Sequence, residues 1–357
     1  MDWHGFTADS GRQIQASVFI PQEPIRVNHF NHSDPIVSSE GSDFPYAAPY
    51  VPSTAPDQHE PPKISLAIRL ATLGFVVGPF IGTIAAAWLC WGGLFGWSHL
   101  AVMLIMYALT GLGITVGFHR LFTHRSFQTT GPIRALFGIL GCMAVEGPLL
   151  RWVADHRHHH KESDQEGDPH SPHLHGQGWK GLFKGIFHSH VGWLFTHHEL
   201  PLQQYVPDLL KSRSIRTISA LFPVWVLVSF LIPAGLGWLF VGNWTGALLG
   251  FIWGGLVRVF LVHHVTWSIN SICHLWGSKP YETGDESRNN FIFGVLAMGE
   301  GWHNNHHAFP TSARHGFHWW QIDFSYWVIR SLEMLGLAWD VKVPQPQAIA
   351  RENRRAA

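Results

Sequence analysis

The sequence predicts an all-α integral membrane protein, with four transmembrane helices in two hairpins and a cytoplasmic helical domain that carries clustered histidines. Three observations point there. Only 13% of the 357 residues are charged and 46% are hydrophobic, whereas a soluble domain usually carries about 25% charged residues. Four apolar runs are each long enough to cross roughly 30 Å of hydrocarbon. Three ordered histidine clusters stand beside the ends of these runs. The formal net charge is zero, so nothing favours a nucleic-acid partner or an electrostatically steered anion. Cys90, Cys142 and Cys273 lie in apolar sequence without a CxxC pair and read as small core residues.

Residues 1–62 hold nine of the 22 prolines and no sustained apolar period, which predicts a disordered leader. No basic segment precedes a short apolar core, so this is not a signal peptide. The membrane domain follows over 63–345. Its first two spans are expected at about 67–91 and 100–118, separated only by Gly92 to His99. Trp88, Trp91 and Trp97 are placed as interfacial anchors at that turn. The glycines between Gly111 and Gly117 resemble a nucleotide-binding loop, but they lie inside an apolar span, where close helix packing explains them better.

The stretch from Pro132 to Leu150 is apolar but is bounded by Arg134 and Arg151 and interrupted by Glu146, as expected of an interfacial or re-entrant helix. Two more spans are expected at about 215–241 and 245–263, the second containing Arg258, and a polar tail at 346–357. Segments 119–214 and 264–345 are the water-facing parts. The two span-to-span turns carry no Lys or Arg, whereas 119–214 is rich in both. The positive-inside rule therefore puts both termini and all the histidine clusters in the cytoplasm.

His156, His159 and His160 stand at i, i+3 and i+4 and so share one helix face, and His303, His306 and His307 repeat that spacing. His119 and His124 are i, i+5, about 140° out of register on a regular helix, which suggests ligands straddling a helix end. One such cluster alone reads as readily as a tag-like tract or a solvated face; three, each beside a span, point to metal. Eight histidines exceed the four ligands of a structural zinc or the three of a catalytic one, so two metals are implied. Imidazole suits Fe, Zn, Cu and Ni alike. Asn270 and His274, at i, i+4 beyond the fourth span, are further candidates.

Taken in order, His119-Arg-Leu-Phe-Thr-His124, His156-Arg-His-His159-His160, Asn270-Ser-Ile-Cys-His274 and Gly299-Glu-Gly-Trp-His303-Asn-Asn-His306-His307 form a set. Over about residues 65–342 the chain resembles the integral-membrane fatty acyl desaturases of the stearoyl-CoA 9-desaturase type. The resemblance implies two irons. His159, His274, His303 and His307 would hold one, with Asn270 reaching it through water; His119, His124, His156, His160 and His306 would hold the other. His158 matches no ligand position. The implied reaction is O2-dependent insertion of a cis double bond, expected at delta-9 of a saturated acyl-CoA, in a bacterial inner membrane or, in a eukaryote, the endoplasmic reticulum.

Trp152 and Asp155 match substrate positions of that family, but Ala154 replaces the Arg of its animal acyl-CoA members, which keeps an acyl-lipid or carrier-protein substrate open. No haem, flavin or nicotinamide motif is present, so a ferredoxin or cytochrome b5 with its reductase would supply electrons. Met103 and Tyr107 share one face of the second span. Tyr107 lies roughly 18 Å along the axis from His119, a plausible tunnel floor. The rivals are a membrane diiron hydroxylase or alkane oxygenase and, remotely, a metal transporter with histidine-rich loops. Ion-path residues within the spans would mark the transporter, and these spans hold few.

Overall fold

The computed structural model describes residues 65–196 and 200–355, all within one compact unit; the leader expected over 1–62 lies outside the described residues. Ser65 caps the first span, α1 (Leu66–Trp91), its hydroxyl accepting from the Ile68 amide. After the Gly92–Gly96 turn comes α2 (Trp97–Thr123). Trp88, Trp91 and Trp97 are all largely exposed at this turn, as interfacial anchors are.

The last eleven residues of α2, Gly113–Thr123, wind as a π-helix, and this disposes of the awkward i, i+5 spacing. In a π-helix the amide of residue i+5 bonds the carbonyl of residue i, and His124 N donates to the His119 carbonyl at 3.1 Å. Both rings therefore point to one side. Arg125, at φ 51°, turns the chain away immediately afterwards. A two-residue strand, β1 (Gln128–Thr129), leads into α3 (Gly131–Met143). At 13 residues, α3 reaches about 20 Å, too short to span. It lies against α2 so closely that a Cβ on Gly113 would come within 2.3 Å of the Gly141 amide. The α2 glycines are thus packing glycines.

Next are α4 (Leu149–Glu162), α5 (Gly178–Phe187), a π-helical turn His188–Gly192, and α6 (Trp193–Thr196). Two single turns, α7 (Leu202–Tyr205) and α8 (Pro207–Leu210), precede α9 (Arg213–Ala220). The run expected at 215–241 is broken: the third span, α10 (Phe222–Val241), restarts with Pro223 in its first turn, where the missing N–H costs nothing.

Gly242, left-handed at φ 77°, ends α10, and the Asn243 side chain caps α11 (Trp244–His274). This second hairpin is also tight. A Cβ on Gly237 would lie 2.2 Å from the Gly246 carbonyl, so the two backbones touch. Arg258 is fully buried in α11 and donates to the carbonyls of Met143, Ser229 and Gly254. It ties α3, α10 and α11 together and places positive charge at the C-terminal end of α3.

Short elements follow: α12 (Phe291–Leu296), α13 (His303–Ala308), α14 (Phe324–Met334), β2 (Ala338–Trp339), antiparallel to β1, and α15 (Pro346–Arg355). The segment read as a polar tail is thus helical through Arg355. Two antiparallel hairpins bring the far ends of α2 and α11, past the expected 118 and 263, to one side of the spans.

Candidate metal centre

The histidines approach one another from four places. His119 and His124 come from the π-helical end of α2, and His156, His159 and His160 from α4. His274 ends α11, and α13 supplies His303, His306 and His307. Arg157, between the histidines of α4, donates to the Phe122 and Thr123 carbonyls and to Asp208, so α4 is bolted to the end of α2. The asparagines between the histidines of α13 have a similar task. Asn304 exchanges hydrogen bonds with the Tyr281 backbone, and Asn305 bonds Asn289, Gln321 and the His315 carbonyl.

The ligand atoms fall into two groups, each within 4.8 Å of one another: His119, His124, His156, His160 and His306, and then His159, His274, His303 and His307. In the first group His306 Nε2 lies 3.1 Å from His119 Nε2 and 2.9 Å from His160 Nε2, itself 3.1 Å from His156 Nε2. In the second, His303 and His274 meet Nε2 to Nε2 at 3.1 Å. His158 joins neither and packs on Tyr205.

Buried carboxylates stand behind the rings. Asp164 accepts from His274 Nδ1 at 2.7 Å, Asp285 from His307 Nδ1 at 2.7 Å and Asp168 from His159 Nδ1 at 3.1 Å. Glu300 lies 2.7 Å from His119 Nδ1 and is held by the fully buried Arg120. A histidine that donates its Nδ1 proton this way presents a bare Nε2 lone pair, the usual arrangement behind a metal ligand. Burial opposes charge on His159, but Asp168 outweighs it and raises its pKa. Burial and then neighbouring histidines hold His124, His156, His160, His303 and His306 well below the ordinary value. They stay neutral, as ligands must be.

These atoms fit metal ions. Ligands at right angles around one ion, at a metal–nitrogen distance of about 2.1 Å, stand about 3.0 Å apart. Moreover, the buried Nε2 atoms of His124, His159 and His307 have no hydrogen-bond partner, a costly state unless a cation takes the lone pair.

A cavity of about 670 Å³ opens from the histidines between α1, α2, α6 and α11, lined by groups such as Phe75, Tyr107, Ile114, Leu194 and Val262. Trp152, Asp155 and Asn270 also line it. The Trp152 ring stacks on His156 with centroids 5.1 Å apart. The Tyr107 hydroxyl donates to the Leu296 carbonyl at 2.8 Å. Met103 is not brought to this cavity: it packs with Ala86, Ile252 and Val257 between the helices, because its side of α2 faces the second hairpin.

The sequence reading assigned no role to Asp164, Asp168, Asp285, Glu300, His170 or His315. His170 lies against the His159 ring at 4.4 Å, and His315 contacts Glu300 at 3.1 Å. Their signal was available in principle, since every buried ligand histidine needs an acceptor behind it. The loops that supply the carboxylates carry no periodicity to reveal which.

The fatty acid desaturase family model matches residues 95–340. The chain belongs to the fatty acid desaturase family. Among relatives, it is 45% identical over 274 residues to the hex-5-enoyl-[acyl-carrier protein] acetylenase of Moorena producens (strain JHB), covering 76% of this chain and 85% of that one. It is 39% identical to the acyl-CoA C20 delta5-desaturase of Anemone leveillei, over 74% of this chain and 80% of that one. It is 36% identical to the sn-1 stearoyl-lipid 9-desaturase of Anabaena variabilis, over 79% of this chain and 95% of that one. This desaturase is therefore a membrane oxidoreductase acting on fatty acyl chains, of a family that uses iron, and its histidines are arranged to bind metal.

Proposed function

We propose that this desaturase holds two irons and inserts a cis double bond at delta-9 of a long saturated acyl chain. His159, His274, His303 and His307 hold one iron, with Asn270 reaching it through water, and His119, His124, His156, His160 and His306 hold the other. The supporting observation is the meeting of two groups of inward-facing Nε2 atoms, backed by buried carboxylates, at one end of an apolar cavity. When bound, the irons supply the oxidising power: O2, two electrons and two protons, with the two hydrogens of adjacent methylenes, become two waters and an alkene.

The protein's own share is position and exclusion of water. Trp152, stacked on His156, forms the cavity wall beside the histidines, with Thr266 bonded to the same Glu146 carboxyl, so the methylenes opposite Trp152 are the ones that react. Apolar groups of α1, α2 and α11 hold the rest of the chain dry. The carboxylates behind the histidines fix the tautomers that aim Nε2 inward.

The acyl carrier we propose is a membrane lipid rather than CoA. Ala154, at the position where an arginine would meet CoA, is fully buried, and the stearoyl-lipid relative is matched along 95% of its length. Electrons come from a separate ferredoxin, or from cytochrome b5 with its reductase, on the cytoplasmic side, where both termini also lie. Purified protein loaded with iron or with zinc, given an electron donor and either stearoyl-lipid or stearoyl-CoA, tests these points together. About two irons per chain and iron-dependent formation of a 9-enoyl lipid are expected. One metal per chain, activity with zinc alone or a hydroxylated product would overturn the reading. The 45% identity to an acetylenase favours a second activity on alkenoyl chains, checked by supplying oleoyl substrate and looking for an alkyne.

A further inference from the structure

An amphipathic helix of a water-facing domain normally turns its apolar stripe inward. Helix α5 does the reverse. Its inner face is glycine: a Cβ on Gly181 would lie 2.1 Å from the Gly176 carbonyl, and one on Gly185 would lie 1.9 Å from the Pro172 carbonyl. The helix therefore rests directly on the 172–176 backbone, and no side chain fits between. Its outer face carries Trp179, Phe183 and Phe187, which are 68%, 65% and 66% exposed, with Leu182 beside them. On a helical projection these side chains cover about 140° opposite the glycines, and Lys180 and Lys184 border one margin.

The position of α5 decides what covers this stripe. Through the π-helical turn His188–Gly192 it runs into α6, whose Trp193 and Leu194 line the acyl cavity together with Ile68 of α1. His190 within that turn bonds Ser271 and His264 of α11. The helix is thereby fixed to the histidine-bearing end of α11 and, through α6, stands beside the N-terminal end of α1, the end of that span on the same side as the histidines. At 1.5 Å per residue, Phe183 stands about 15 Å along the axis from Trp193. A stripe of exposed aromatic residues bordered by lysines, on a helix that runs into α6 beside a membrane span, is complementary to an acyl layer under anionic phosphates.

We propose that α5 is a membrane-docking helix. Its Trp179, Phe183 and Phe187 enter the headgroup–acyl boundary, Lys180 and Lys184 bind anionic lipid phosphates, and the docked helix seats the α6 side of the acyl cavity against the bilayer. The docking is independent of which carrier presents the acyl chain, and its test does not use turnover.

Full-length protein carrying Cys90→Ser, with one nitroxide label at Phe183→Cys or Glu282→Cys and with Lys180 and Lys184 either present or both changed to Gln, is reconstituted in phosphatidylcholine nanodiscs with and without phosphatidylglycerol. Cys90 is exposed, not the core residue its apolar surroundings suggest, whereas Cys142 and Cys273 are buried and do not compete for label. At position 183, collisions with O2 should exceed those with a water-soluble nickel chelate severalfold relative to position 282, at a depth of about 5–10 Å below the phosphates. The label at 183 should move deeper when phosphatidylglycerol is present, and Lys180→Gln with Lys184→Gln should remove that difference. A label at 183 as open to the nickel chelate as that at 282 would overturn the proposal. So would one shielded from both reagents, since a second protein would then cover the stripe. A depth at 183 indifferent to phosphatidylglycerol, or equally responsive without the two lysines, would overturn the anionic-lipid part.

Discussion

Replacing Asp164 by Asn isolates what a carboxylate contributes behind a histidine of the centre. Asp164 Oδ2 accepts from His274 Nδ1 at 2.7 Å and from the Glu286 amide at 2.8 Å, and Oδ1 accepts from Ser171 Oγ at 2.6 Å. An asparagine can keep its oxygen toward His274 and Glu286 and turn its amide toward Ser171, whose hydroxyl then accepts. The hydrogen bonds survive and only the charge is lost. That charge is one of three, with Asp168 and Asp285, behind the group His159, His274, His303 and His307. Burial works against the Asp164 carboxylate, but the hydrogen bond and charge of His274 hold its pKa below the usual carboxylate range, so it is fully ionised at neutral pH.

Loss of such a partner lowers metal affinity or activity by about 10–100-fold, or about 1.4–2.8 kcal/mol. The assay is chelator competition for iron, read beside desaturation of lipid by gas chromatography and mass spectrometry. Asp164→Asn should release iron at correspondingly lower chelator concentration, and the exposed Asp340→Asn should match wild type. Iron affinity and turnover within about twofold of wild type in Asp164→Asn would refute the idea that carboxylates tune the centre. Because its folded pKa is depressed, the stabilising effect of Asp164 is present above the unfolded value, near 4, and is lost only as pH falls below it.

Three further outcomes are expected. His160→Ala should abolish desaturation and lower bound iron, whereas His158→Ala, which alters a ring packed on Tyr205 outside both groups, should retain both; metal analysis and product yield distinguish them. Glu146, bonded to Trp152 at 3.1 Å, is pushed up to about 7 by burial, against the hydrogen bonds of Thr266 and Trp152 that lower it. Its protonated form therefore favours the fold below the unfolded carboxylate range, and that contribution is lost as pH rises through about 7. Glu146→Gln should accordingly melt higher than wild type at pH 8 and near it at pH 5, and equal pH dependence of the two melting curves would exclude the carboxyl as the cause. Tyr107→Ala should enlarge the cavity and shift preference toward longer acyl chains, while Met103→Ala should leave the chain-length profile unchanged; an unaltered profile for Tyr107→Ala would place the cavity end elsewhere.

The parts legible in the sequence were those that repeat along one element. Apolar runs revealed the spans because lipid demands them without interruption, and the i, i+3, i+4 histidines revealed a shared face because one helix carries all three. The i, i+5 pair of α2 shows where that logic stops. On a regular helix His119 and His124 diverge, and only the π-helical winding of Gly113–Thr123, which the close approach of Gly113 and Gly141 accompanies, turns both rings inward. Met103 and Tyr107 fail in the opposite way. They share a helix face, but two different neighbours cover it: Met103 meets Ile252 and Val257 of α11, and Tyr107 meets Leu296 of α12.

The carboxylates were silent for a third reason, which also bears on how the centre is assembled. Asp164 follows α4 in a left-handed turn at φ 58°, and Glu300 follows Met298 and Gly299, both at positive φ. A Cβ on Gly299 would lie 2.3 Å from Asp323 Oδ1, so only glycine lets that turn close and bring Glu300 beneath His119. The helices thus deliver imidazole nitrogens, and irregular turns, each shaped by one or two backbone positions, deliver the charges that orient them. A substitution such as Gly299→Ala, which touches no histidine, should therefore loosen the His119 side of the centre through Glu300 and Arg120, and on the two-iron reading proposed above the iron on that side should be released before that on the His274 and His303 side. Simultaneous loss of both irons from Gly299→Ala in folded protein would show instead that the two histidine groups stand or fall together.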